Sequence, residues 1–293
     1  KLHYLNQTVE TLSEVPLWRE EKMKYSVEKL PCMIYVDDSD PDAFNGIDMA
    51  KMAQARQATY KVMKKYRDQM DNRYQWLIVA VPSASWAKKV FPGLEDDEAV
   101  AKLWEAIIKT MRLDKENPVQ AWKDHIAYLN EKSTKLNDLN LDYLTYKSSN
   151  GTDLTLKLQP NHNWLSARET DLKGIDFTAN MPTEEVFTMP KRNGVNGKVV
   201  STKPLSLYGQ LVENFTCTFK DGKCVEVTAE KGLEVLETML NMDESSRYLG
   251  EVALVPFNSP INETGLLFSN TLFDENACCH LAFGAAFKNN IKG

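Results

Sequence analysis

Apolar and polar positions change their period several times along this chain, and each change predicts an element. Residues 30–36 (LPCMIYV) form a short apolar run closed by Asp37-Asp38-Ser39-Asp40-Pro41, which reads as a strand entering a turn. Across residues 49–70 apolar or small side chains recur at helical spacing with Lys and Arg between them, predicting a long amphipathic helix. Residues 76–81 (WLIVAV) are uninterruptedly apolar and stop at Pro82, the pattern of a strand covered on both faces. A turn and short helix over 82–92 come next, then helices over 98–111 and 119–136, the second following Pro118. Strands and helices alternating in this way predict an α/β domain with a mostly parallel or mixed sheet.

After about Leu139 the texture becomes that of short β-like pieces. Residues 143–146 and 153–158 flank Asn150-Gly151, and residues 216–219 and 223–228 flank Asp221-Gly222, both hairpin signals. Further strands are predicted over 174–177, 205–207, 250–256 and 265–272, and helices over 232–242 and 276–287. The expected fold class is therefore α/β: an N-terminal α/β domain over residues 1–140, then a mixed α+β domain over 141–293.

Composition narrows the function classes. Of 293 residues, 43% are hydrophobic and 26% charged, too apolar for a disordered chain. The net charge of −6, with no long basic run, argues against nucleic acid or an anionic membrane as partner. It is compatible with a cationic substrate such as a free peptide amino terminus. The cysteines, Cys32, Cys217, Cys224, Cys278 and Cys279, are odd in number and follow no disulfide or zinc-ribbon spacing, so a reducing, cytoplasmic setting is expected. No apolar run is long enough to span a bilayer and no signal peptide opens the sequence. Lys1-Leu2-His3-Tyr4 lacks an initiator Met, and the end at Gly293 has no tail character, so a chain cut at both ends is expected.

Three stretches of the second half look unlike scaffold. In Asn180-Met181-Pro182-Thr183-Glu184-Glu185-Val186-Phe187-Thr188-Met189-Pro190, two adjacent carboxylates sit in backbone stiffened by prolines, which suits a metal ligand; an acidic first turn of a helix is the plainer reading. Glu251 opens the otherwise apolar strand of Leu249-Gly250-Glu251-Val252-Ala253-Leu254, where a buried carboxylate needs a cation, and Arg247 four residues earlier is the simple partner. His280 lies among small and apolar residues on what reads as a buried helix, where a satisfied core histidine is the ordinary outcome. Cys278 and Cys279 have no second cysteine pair to complete a zinc site. Together the three stretches offer two carboxylate sites and an imidazole, a ligand set for Zn²⁺, Co²⁺ or Mn²⁺. Of the other histidines, His3 is terminal, His125 falls on a helix, and His162 reads as surface in a polar loop; H-E-x-x-H is absent.

The segments NMPTEEVFTMP, YLGEVALVPFNSPI and LLFSNTLFDENACCHLAFGAAF, with WLIVAVPSASWAKKVFP before them, resemble the thermophilic-aminopeptidase (M29) family of metallopeptidases over essentially the whole chain. The resemblance implies that the second domain is the metal-binding catalytic one. It implies hydrolysis of single N-terminal residues from peptides, by water activated on two divalent metals, in a cytoplasmic homodimer. The family's ligands fall on Glu185, Glu251 and His280, with Glu251 as the bridging, catalytic glutamate and Glu184 beside them. The acidic pair Glu184 and Glu185 is the expected seat of the substrate's α-amine.

Two departures follow from the same resemblance. The family's tyrosine, seven residues after the histidine, is replaced by Phe287, which has no hydroxyl to steady an oxyanion. A final His-x-Asp ligand pair would lie beyond residue 293, so the chain by itself is expected to bind metal poorly and to be weakly active or inactive. A non-catalytic peptide-binding protein on a degenerate peptidase fold, and a hydrolase with a single metal, are the alternatives.

Overall fold

The computed structural model describes residues 1–38 and 40–292. Ser39, in the turn expected after the first strand, and Gly293 lie outside the described residues. The chain begins with helices α1 (Leu2–Asn6), α2 (Val9–Ser13) and α3 (Leu17–Lys29), then strand β1 (Met33–Asp37), helix α4 (Met49–Met70) and strand β2 (Trp76–Ala80). Helices α5 (Ala84–Val90), α6 (Asp96–Thr110) and α7 (Pro118–Leu139) follow. The strand-rich part comprises β3 (Tyr143–Lys147), β4 (Asp153–Leu158), β5 (Arg168–Thr170), β6 (Asp176–Thr178), β7 (Val186–Thr188) and β8 (Pro190–Val200). It continues with β9 (Leu205–Leu207), β10 (Gln210–Val212), β11 (Thr216–Lys220), β12 (Lys223–Thr228), α8 (Leu233–Leu240) and β13 (Leu249–Leu254). Short helices α9 (Pro260–Glu263) and α10 (Thr271–Asp274) precede β14 (His280–Phe283).

These elements form two compact units that do not follow the chain's change of texture. One contains residues 1–37, 42–80 and 168–181; the other contains 38–41, 81–167 and 182–293, so residue 140 lies inside the second. The reason is the late segment 168–181. Its hairpin β5–β6 returns to β2, where Ile78 N–H donates to Ala179 O at 2.8 Å and Met181 N–H to Ile78 O at 3.0 Å. In the first unit β1 and β2 pair in parallel. In β2 only Ala80 is buried and residues 76–79 are half-buried, so that strand is not covered on both faces as its apolar run suggested, and Ile34, Tyr35 and Val36 of β1 beside it are exposed. Helix α4 starts where the Asp48 side chain accepts from Lys51 N–H, and it buries Met52, Ala55, Met63, Tyr66 and Met70 along one stripe.

In the second unit a five-stranded antiparallel sheet, in the order β12-β11-β8-β4-β3, carries the main core. Strand β4 buries Leu154, Leu156 and Leu158 on alternate positions, and β11 buries Cys217 and Phe219. Helix α7, capped by Asn117 with Pro118 in its first turn, adds Leu129 to that cluster. The Asp221-Gly222 turn has φ of 48° and 84°, the paired left-handed conformation of a two-residue hairpin, and a Cβ at Gly222 would fall 1.7 Å from Arg192 O.

Two predicted elements are different in the structure. Residues 265–272 are not a strand, because the Asp274 carboxylate accepts from the N–H groups of Phe268 and Asn270 and folds the segment into a loop. Nor is there a helix over 276–287. A single 3₁₀ turn (Glu275–Ala277) ends at Cys278, in extended conformation, and the chain enters β14.

Candidate metal centre

The site is carried by a second, three-stranded antiparallel sheet in the order β14-β13-β7. Register decides which side chains meet. His280 pairs with Ala253, and Glu251 with Ala282, so Glu251 and His280 lie diagonally on one face. Phe187 pairs with the same Ala253, and Glu185, two residues before it, points to that face as well. A Cβ at Gly250 would fall 2.3 Å from Ala285 O, so the glycine lets the chain leaving β14 pass tightly beside the strand that presents Glu251.

The three predicted residues therefore come together. His280 Nε2 lies 3.0 Å from Glu185 Oε2 and 3.4 Å from Glu251 Oε1, and one donor atom from each residue lies within 4.8 Å of the others. Among the described residues this is the only such group of three His, Cys, Asp or Glu side chains. His280 is on a strand rather than the expected helix. Its Nδ1 donates to Cys278 O at 3.1 Å, which leaves Nε2 turned toward the two carboxylates. Glu185 Oε2 and His280 Nε2 are both buried without a hydrogen-bond partner. Burial alone would push the His280 pKa down, but the flanking carboxylates outweigh it and raise it to about 11. Two buried carboxylates and an imidazole with an unused nitrogen form a donor set that fits a divalent cation.

The plainer readings of these stretches do not survive. Glu184 and Glu185 precede a strand and begin no helix. Arg247 donates to Cys224 O and Asn241 Oδ1, leaving Glu251 to the cluster. Glu184 is 2% exposed, and both its oxygens are taken by the Arg112 guanidinium at 2.5 and 2.9 Å, so it offers no seat for a substrate amine. Phe287 is 61% exposed and packs edge-to-face on Phe187 at 5.9 Å. Cys279 is exposed and Cys278 half-buried, and neither belongs to the cluster.

Three residues of this neighbourhood were not singled out by the sequence. Burial and then the nearby Glu185 push the Glu275 carboxyl up to about 8, so a further acid lies near the cluster. His125 is buried, its Nε2 donating to Thr183 O at 2.7 Å, and Arg112 holds Glu184. An acid inside a 3₁₀ turn and a histidine on a helix face carry no local mark of such a role. His162, expected at the surface, is 2% exposed, with Nδ1 bonded to Gln159 O at 2.7 Å.

A sheet face that presents two glutamates and a histidine around one point is a donor set of the kind that a metal-dependent hydrolase uses. A sequence profile of the thermophilic metalloprotease (M29) family matches residues 1–293. The chain is 45% identical to aminopeptidase AmpS of Bacillus subtilis, across 100% of this chain and 72% of that protein. It is 43% identical to aminopeptidase PepS of Streptococcus thermophilus, across 99% of this chain and 70% of the relative. The solved structure of wild-type AmpT from Thermus thermophilus superimposes with a TM-score of 0.90 at 40% identity, covering 100% of this chain and 72% of that one. The chain belongs to the M29 thermophilic metalloprotease family. It is a metallo-aminopeptidase of that family, a hydrolase acting on peptide bonds.

Proposed function

We propose that Glu185, Glu251 and His280 are ligands of a two-metal centre of Zn²⁺, Co²⁺ or Mn²⁺ that removes single residues from peptides with a free amino terminus. The observation that carries this reading is the convergence of the three donor atoms within 4.8 Å, two of them buried with no hydrogen-bond partner. A divalent ion supplies a water of lowered pKa and polarises the scissile carbonyl. His280 is held in the tautomer a ligand needs by its bond to Cys278 O. Glu251, diagonal to it across the sheet, is the candidate bridging carboxylate. With Glu184 committed to Arg112, Glu185 is the member of the acidic pair left to meet the substrate's α-amine. The five free cysteines support a reducing, cytoplasmic setting, and the family resemblance supports a homodimer. Among the described residues no helix is long and apolar enough to cross a membrane.

Metal analysis of the full-length protein beside an aminoacyl-nitroanilide assay tests the reading. Two equivalents of metal with turnover are expected. One equivalent with turnover replaces the centre by a mononuclear one. The second reading, a peptide-binding protein without catalysis, draws on the exposed phenyl ring of Phe287 where the family has a tyrosine. Absence of both metal and turnover would favour it.

A further inference from the structure

Adjoining the candidate ligands in the chain is a buried polar cluster that supplies none of the donor atoms. Arg112, at the C-terminal end of α6 with a left-handed φ of 58°, aims its fork at Glu184, and the side chains are 14% and 2% exposed. The guanidinium also lies 5.8 Å from the centre of the Trp122 ring, and Trp122 Nε1 donates to Met111 O at 2.7 Å, which fixes the turn that carries the arginine. Glu184 N–H donates to Asn276 Oδ1 at 2.7 Å. Asn276 is held in turn by its own Nδ2, which donates to Leu272 O at 3.0 Å, and by Ser259 Oγ, which donates to Asn276 O at 2.7 Å. On the other side His125 Nε2 donates to Thr183 O at 2.7 Å.

This cluster joins two stretches that the fold otherwise brings in from far apart. Glu184 is one peptide from Glu185, and Asn276 is four residues before His280. Fixing both oxygens and the N–H of Glu184 leaves the next residue little freedom of direction, and the same bond ties down the approach to β14. We infer that Arg112 and Asn276 are positioning residues for the metal centre, acting through Glu184 to hold Glu185 and His280 at the spacing a shared cation requires. The inference rests on the reading of Glu185, Glu251 and His280 as ligands. A buried ion pair is a poor device for stability alone, since apolar side chains of similar volume fill such a place as well or better. A bidentate fork that fixes direction is what a ligand's neighbour needs.

The test separates holding the fold from holding the ligands. Cobalt is titrated into metal-free full-length protein, wild type and variants, with affinity, the visible absorption of bound cobalt and the melting temperature of the metal-free form as readouts. Arg112→Met combined with Glu184→Met keeps the volume and removes the direction. It is expected to melt near the wild type yet bind cobalt about 10- to 100-fold more weakly, with an altered spectrum. Asn276→Ala should move affinity and spectrum in the same direction. Arg112→Lys keeps the charge and loses the fork, so it too should weaken cobalt, and it carries the test if the double variant does not fold. Wild-type affinity and spectrum in folded variants overturn the inference and leave the metal reading standing. A wild-type protein that takes up no cobalt overturns both.

Discussion

Two of the second unit's antiparallel sheets are built to opposite ends. In the five-stranded sheet the inward positions are apolar, and Leu154, Leu156, Val195, Phe219 and Cys224 bury one another. In the three-stranded sheet the equivalent alternation places Glu185, Glu251 and His280 on one half-buried face, with two polar atoms left unsatisfied. The first arrangement is complete without a ligand, and burial of hydrocarbon stabilises it. The second is costly until a cation joins it. A strand can thus be specified by the same period for either purpose, and only the chemistry of the inward residues tells them apart.

The contrast can be broken from either side. Glu251→Gln should lower turnover of an aminoacyl-nitroanilide by the full-length protein at least about 10³-fold, because several kcal/mol of metal-supplied stabilisation depends on that carboxylate. Retained turnover in steady-state assays would remove Glu251 from the reaction. Leu156→Ala, in the other sheet, should cost about 2–5 kcal/mol in denaturant unfolding while the folded protein keeps its metal affinity. A parallel loss of affinity would mean that the two sheets are not separable. Removing metal with a chelator should lower stability by about 2.7 kcal/mol relative to protein at free metal 100 times its Kd, and by the same amount in Leu156→Ala. A chelator shift absent in calorimetry would contradict a metal bound only to the folded chain.

The smallest effect concerns His125. Burial lowers its pKa below 6.5, opposed by the nearby Glu184 charge. Between the lowered value and 6.5 the unfolded chain takes a proton that the folded chain refuses, so stability is full above pH 6.5 and declines as pH falls through that window. His125→Gln retains a donor for Thr183 O and cannot titrate. Melting temperatures measured from pH 7 down to pH 5 should fall less steeply in this variant than in the wild type; an unchanged slope would assign the acid sensitivity elsewhere.

Much of the scaffold is legible in the sequence. The helix at Met49–Met70 and the strands at Leu205–Leu207 and Lys223–Thr228 have the bounds their periodicity predicts, because local pattern and tertiary environment agree there. The segment from Asn276 to Phe287 reads as helix from its alanine, leucine and small residues. Pairing with β13 overrides that preference and makes His280–Phe283 a strand. Residues 265–272 mislead for a related reason: a single carboxylate, Asp274, takes the N–H groups a ladder would have used. At the site, the residues with rare chemistry in an apolar setting, Glu251 and His280, are visible in one dimension. Arg112, His125 and Glu275 are not, since their meaning comes from neighbours tens of positions away.

Position 250 has a consequence for how tolerance to mutation should be interpreted in this protein. A survey that replaced every residue in turn would find that site as unforgiving as the glutamate next to it, although hydrogen is all it contributes. The cause would be geometric, the carbonyl of Ala285 standing where a methyl group would have to go. Intolerance there would be a record of crowding, and a map of function drawn from intolerance alone would count it as chemistry.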